Sequence, residues 1–145
     1  MEHETVRCPD AVRVYPVTDA GELLMISEQR PETGDRVLRV VSGRLEPGEE
    51  PLEGAARELA EELGLLGGRT TLFATSRPML KVEHTLHHVL VQHFDRGIAR
   101  PEDLEDIVEH PVSLDALEEL VWSGSILEDA IAVNLLRLRR MLELA

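Results

Sequence analysis

The chain carries a single cysteine, Cys8, and little aromatic material: one tryptophan, one tyrosine and two phenylalanines in 145 residues. A lone thiol cannot close an internal disulfide, and with no partner motif beside it Cys8 is a poor metal or redox site, which fits a reducing cytoplasm. So few rings leave only Tyr15, Phe73, Phe94 and Trp122 to stack on a nucleobase, and Trp122 is expected to pack among the C-terminal helices instead. Lysine is scarce too: Lys81 is the only one, the rest of the 15 basic residues being arginine. Base composition produces such a bias as readily as function does. Net positive charge is missing, and a formal charge of −13 argues against duplex nucleic acid as a partner. A polyanionic substrate would have to be met locally, by metal ions. No long apolar run is unbroken. The one near the C-terminus is interrupted by Arg137, Arg139 and Arg140, and Met1–Asp10 lacks the charged-then-apolar layout of a signal peptide. Neither a membrane span nor export is expected.

What is present suits one globular domain over residues 1–145, with 1–10 as a flexible or lead-in segment. Ala11–Val17 and Glu22–Ser27 read as strands around the turn residues Thr18 to Gly21, and Val37–Val41 as a third strand after a polar loop. Arg69–Ala74 and Thr85–Phe94 have strand composition, with a loop over Thr75–His84 because Pro78 opposes a continuous strand. Asp106–Val112 is a further short strand, Leu114–Val121 a short helix capped by Ser113, and Ile126–Leu144 a longer helix. This order implies an α+β fold, a mixed sheet covered by helices on its faces.

Between strand and helix signals lies the informative stretch. Leu52, Ala55, Ala56, Leu59, Ala60 and Leu63 recur at helical spacing, Pro51 suits the first helical position and Gly64 the left-handed residue after the end. Glu58, Glu61 and Glu62 then fall at i, i+3 and i+4, three carboxylates on one face within about one turn. Like charges so placed cost roughly 0.2–0.5 kcal/mol per pair, and only Arg57 is near in sequence to offset them. A divalent cation would remove the conflict, and hard oxygen ligands suit magnesium, with manganese as substitute. An ordinary solvated acidic face is the alternative, against which the flanking residues weigh.

Those residues, Gly43-Arg-Leu-Glu-Pro-Gly-Glu49 followed by Arg57-Glu58-Leu59-Ala60-Glu61-Glu62-Leu63-Gly64-Leu65, fill every specified position of G-x5-E-x7-R-E-U-x-E-E-x-G-U, where U is bulky and aliphatic. The segment resembles the box of the Nudix hydrolases. The resemblance implies an α/β/α sandwich with a central mixed sheet and the box helix on one face. It also implies Glu58, Glu61 and Glu62 as metal ligands, joined by the backbone carbonyl of Ser42, and Glu49 and Arg57 as an ion pair tying loop to helix. Gly43, Gly48 and Gly64 would then have structural roles. Gly54, which should cost a helix interior about 1 kcal/mol relative to alanine, suggests a close approach there, or simple tolerance.

Over most of the chain the likeness is to the ADP-ribose pyrophosphatase branch, through Val14-Tyr15-Pro16, Glu28-Gln29-Arg30-Pro31 and Val41-Ser42-Gly43, with a softer match near the C-terminus. It implies that Arg30 contacts the diphosphate, and that Glu83 is a general base from outside the box. The other candidates for that base are Glu61 and Glu62 in the box, or Glu102, Asp103, Glu105 and Asp106. Pro78 stands short of the proline that marks ADP-ribose enzymes, and Ser76-Arg77-Pro78 lacks the glycine usually found after it. His84, His87, His88 and His93 are read as strand histidines rather than a zinc site, with His84 and His88 on one face and His87 and His93 on the other.

The expected function is magnesium-dependent hydrolysis of a nucleoside diphosphate linked to X, ADP-ribose or a nucleotide sugar first, by a homodimer. The alternatives are a nucleotide-pool enzyme acting on nucleoside di- or triphosphates and a non-catalytic nucleotide-binding module. Isoprenoid diphosphate isomerisation would need a cysteine in the site, where Cys8 is badly placed.

Overall fold

A computed structural model describes residues 4–100 and 106–144. The elements are β1 (Val6–Arg7), β2 (Ala11–Val17), β3 (Glu22–Gln29), β4 (Arg36–Arg39), β5 (Val41–Arg44), α1 (Pro51–Leu63), β6 (Leu65–Leu66), β7 (Arg69–Ser76), β8 (Val82–Glu83), β9 (Leu86–Gln92), β10 (Asp95–Arg96), β11 (Ile107–Ser113), a 3-10 turn (Leu114–Ala116), α2 (Leu117–Trp122) and α3 (Asp129–Leu144). The main sheet runs β11-β3-β2-β9-β7, antiparallel except for the parallel pair β2–β9.

β2 and β3 pair only at Val17 and Leu23 and then diverge. The gap is filled by β4, paired with β3, and β5, paired with β2. What reads in sequence as one strand over Val37–Val41 is therefore two, parted at Val40 where the chain changes partner. Alternation along β3 sends Leu24 and Ile26 to one face and Leu23 and Met25 to the other, and each face builds a core. Leu24, Ile26, Val12, Val14, Val89 and Val91 pack with Ala55 and Leu59 of α1. Leu23, Met25, Tyr15 and Val17 pack with Leu117 of α2 and with Ile131, Leu135 and Leu138 of α3. The α/β/α sandwich is thus a direct consequence of period-two strands meeting period-3.6 helices.

Several sequence expectations are corrected. Within the lead-in segment, Val6 and Arg7 pair in parallel with Val82 and Glu83, so part of the segment 75–84 is strand as well. Backbone pairing, invisible to side-chain pattern, decides both. The last helix begins at Asp129 rather than Ile126. Trp122 is 75% exposed: Leu117 is the buried residue of the six-residue α2, and Trp122 at its last position points away from the packed side. Only His87 and His88 lie in β9, so the alternation expected of four histidines holds for two.

Candidate active site

The site is assembled where β5 ends and α1 returns across it. Glu50 offers no side-chain cap to α1, and Pro51 opens the helix without needing one of the unpaired N–H positions. At the other end Gly64 adopts φ 67°, and its N–H returns to the carbonyls of Ala60 and Leu59. A pocket of about 540 Å³ is lined by Ser42, Gly43 and Arg44 from β5 and by Arg57, Glu58, Glu61 and Glu62 from α1. The three carboxylates expected to act together do share one cavity. Gly43 is dictated by space: a β-carbon there would collide with the Glu58 carboxylate.

The loop is clamped by Arg57. Its Nε and Nη2 donate to the two oxygens of Glu49 at 2.8 and 2.9 Å, a bidentate pair, and Nη2 also donates to the Arg44 carbonyl at 3.0 Å. The Glu49 carboxylate in addition accepts from the Glu46 N–H at 3.0 Å. The Arg57 contact, followed by the Glu46 N–H, holds Glu49 down at about 2, against the opposing effect of burial. Glu49 in turn holds the Arg57 guanidinium firmly charged. Arg57 also donates from Nη1 to Glu58 at 2.8 Å and stands 3.6 Å from Glu61.

A second arginine, which the sequence reading did not single out, holds the other end of the trio. Arg39 at the end of β4 donates to Glu28 at 3.0 Å, to the Ser42 hydroxyl at 3.1 Å and to the Val40 carbonyl at 2.9 Å, and lies 3.6 Å from Glu62. Burial works against its charge, and Glu28 and Glu62 more than offset that. Its partner Glu28 is lowered, first by the hydrogen bond from Arg39. The signal was present in Val37-Leu38-Arg39-Val40-Val41, a charge inside an apolar run beside the box.

Magnesium tends to keep several waters and to bind through one or two carboxylates plus substrate phosphates, so it does not need a closed cage of acids. Among the described residues no three His, Cys, Asp or Glu side chains converge as a ready-made site. Glu58 and Glu61 are turned toward Arg57 and Glu62 toward Arg39. The donor set fits a hard cation, which on binding would have to take over from the arginine contacts.

Other expected residues fall elsewhere. Glu83 is ion-paired with Arg7 at 2.8 Å and lines a separate cavity of about 700 Å³ with Asp10, Arg77 and His84. Arg30 sits on an exposed turn, its N–H donating to the Asp35 carbonyl, and does not line the box pocket. Asp106 is bound to Arg36 at 2.9 Å, while Glu102, Asp103 and Glu105 lie outside the described residues. His84 contacts the Pro9 carbonyl at 2.7 Å and His93 stands 3.0 Å from Asp19.

The chain resembles known proteins in both sequence and fold. The model of the NUDIX domain matches residues 8–129. An ADP-ribose pyrophosphatase of Bacillus subtilis (strain 168) is 31% identical over 149 aligned positions, covering 98% of this chain and 80% of that protein. A CMP-5'-(N-acetyl-N-hydroxy-3-aminopropyl)phosphonate hydrolase of Streptomyces rubellomurinus (strain ATCC 31215) is 26% identical over 94% of this chain and 66% of its own length. Among solved structures, that of an ADP compounds hydrolase superposes with a TM-score of 0.82 at 24% identity, covering 92% of this chain and 72% of that one.

Proposed function

The chain belongs to the Nudix family and is a Nudix pyrophosphohydrolase, and from that premise we propose that it hydrolyses the pyrophosphate bond of a nucleoside diphosphate linked to X, with Mg2+ as the working metal and Mn2+ as a substitute. ADP-ribose is the first substrate proposed, a nucleotide sugar the next. The observation that carries the reading is the pocket in which Glu58, Glu61 and Glu62 of one helix face meet Ser42 and Gly43 of β5. Bound there, a divalent cation would neutralise the diphosphate and lower the pKa of a coordinated water.

Glu58, Glu61 and Glu62, with the Ser42 carbonyl, are the proposed metal ligands. Glu49, Arg57, Gly43 and Gly64 keep loop and helix in register. A carboxylate must take the proton as water adds to one phosphorus and the bridging P–O bond breaks, releasing a nucleoside monophosphate and a phosphorylated X. Glu61 and Glu62 stand in the pocket for that role. Glu83 would serve only if its pair with Arg7 opened. Arg30 would reach the diphosphate from its exposed turn, as a fixed positive charge able to engage phosphate in bidentate fashion.

Product analysis across ADP-ribose, nucleotide sugars, dinucleoside polyphosphates and nucleoside di- and triphosphates, with Mg2+, tests substrate and bond together. Release of AMP and a sugar phosphate from ADP-ribose is expected, and hydrolysis confined to nucleoside di- or triphosphates would replace the leading reading with the nucleotide-pool one. Similarity to a hydrolase of a CMP-linked compound supports including cytidine substrates in that panel. The working form proposed is a cytoplasmic homodimer, which sedimentation would test.

A further inference from the structure

We propose that Arg39 is a positioning residue for metal binding, fixing Glu62 of α1 and the start of β5 in one geometry; the inference rests on the metal-dependent reading above. Three facts support it. The first is register. Arg39 pairs with Ile26, whose side chain packs on the α1 side of the sheet, and Glu28, two residues along β3, lies on that same face. The strands therefore present Arg39 and its anchor Glu28 to the inner end of the carboxylate trio.

The second is connectivity. One guanidinium engages β3 through Glu28, β5 through the Ser42 hydroxyl, the junction of β4 and β5 through the Val40 carbonyl, and α1 through Glu62. Glu28, held below the ordinary carboxylate range, stays ionised and fixes the fork from behind. The third is burial. The Glu62 side chain is 4% exposed and that of Arg39 15%, whereas the Glu61 side chain is 45% exposed. A carboxylate that deep needs a fixed countercharge to keep its orientation. Arg57 serves the outer end of the trio, and Arg39 the inner.

A positive charge beside a metal ligand has two opposed effects: it orients the carboxylate, and it repels the incoming cation. The two predict opposite outcomes when it is removed. Mn2+ alone is the probe, titrated into the full-length protein and followed by the electron paramagnetic signal of the free ion. Arg39→Met is expected to weaken Mn2+ binding about tenfold or more, as loss of a group that orients a metal ligand commonly does. Arg39→Lys should fall between, keeping the charge and losing the planar fork. Glu28→Gln should shift affinity the same way by a smaller factor. In Arg39→Lys, turnover lost at low metal should return as Mn2+ is raised, with KM for the nucleotide little changed.

Unchanged or tighter Mn2+ binding in Arg39→Met would overturn the proposal. If that variant does not fold, wild-type affinity in both Arg39→Lys and Glu28→Gln overturns it equally. Glu62→Gln separates the two levels of the argument. Weak Mn2+ binding in Glu62→Gln beside normal binding in the Arg39 variants sinks only the role of Arg39. Unaltered binding in Glu62→Gln sinks the metal assignment itself.

Discussion

Single residues divide the site into groups that would touch metal and groups that hold them. Glu62 lies deep in the pocket beside Arg39, and its carboxylate-to-amide change is nearly isosteric. Glu62→Gln is therefore expected to fold normally, lose nearly all turnover and weaken magnesium binding. Phosphate release together with metal titration checks this, and activity near that of the wild type would remove Glu62 from the ligand set. The same assay run on Glu83→Gln decides whether Glu83 is the base. Because Glu83 faces Arg7 in a separate cavity, retention of kcat would remove Glu83 and leave Glu61, Glu62 and the acidic residues 102–106 as candidates, and a loss of about 10²-fold or more would show that the Arg7 pair opens during turnover.

At the scale of elements, the box is a strand, a clamped loop and a helix whose glycines are set by neighbours. Gly54 is the clearest case, being poor for helix propensity yet placed as the fourth residue of α1. A β-carbon there would collide with a methyl carbon of Leu45 and stand 3.1 Å from a Glu49 oxygen, the oxygen that Arg57 grips. Gly54→Ala gains about 1 kcal/mol of propensity and costs typically 1–3 kcal/mol of overpacking. The expected outcome is a protein no more stable than the wild type in urea, with its loop clamp loosened. A clear rise in the unfolding midpoint would show that Leu45 yields freely. Spacing alone made the helix and its termini legible, because Pro51 and Gly64 act locally. It left the reason for Gly54 open, since Leu45 and Glu49 reach it only once the loop folds back.

The whole molecule adds a polar cluster on the face of the sheet away from α1. The Tyr15 hydroxyl lies 2.7 Å from His88 Nδ1, while His88 Nε2 lies 2.9 Å from the Ser76 hydroxyl and 3.2 Å from Asn134 Nδ2. That Asn134 amide also donates to the Ala130 carbonyl and accepts from Arg137, which sets its orientation. A doubly protonated ring would face it donor to donor. Burial first, then the charge of Arg13, pushes His88 down to about 4. Above pH 6.5 the ring is neutral folded and unfolded alike. As pH falls from 6.5 toward 4 the unfolded chain takes up a proton that the folded protein refuses, so stability drops, by on the order of 2–3 kcal/mol from this group. Glu49 continues the decline below its ordinary carboxylate range. Urea midpoints across that window measure the loss, and the His88 ring proton resonances should not titrate until well below pH 6. Titration near pH 6.5 would refute the assignment.

Sequence by itself settled what depends on neighbours in the chain: the acidic face of Glu58, Glu61 and Glu62, the ends of α1, and the strands on either side of the Thr18–Gly21 turn. Those follow from helical and strand periods and from the backbone preferences of proline and glycine. Tertiary structure decided what depends on residues far apart. It split Val37–Val41 between two partner strands, paired the lead-in segment with Val82 and Glu83, left Trp122 exposed, and brought Arg39 and Glu28 to the inner end of the carboxylates. It placed Glu83 and Arg30 outside the box pocket. The physical reason is the same throughout: hydrogen-bond register and burial of charge are settled between strands, and the pattern of side chains along one strand does not say which strand will lie beside it.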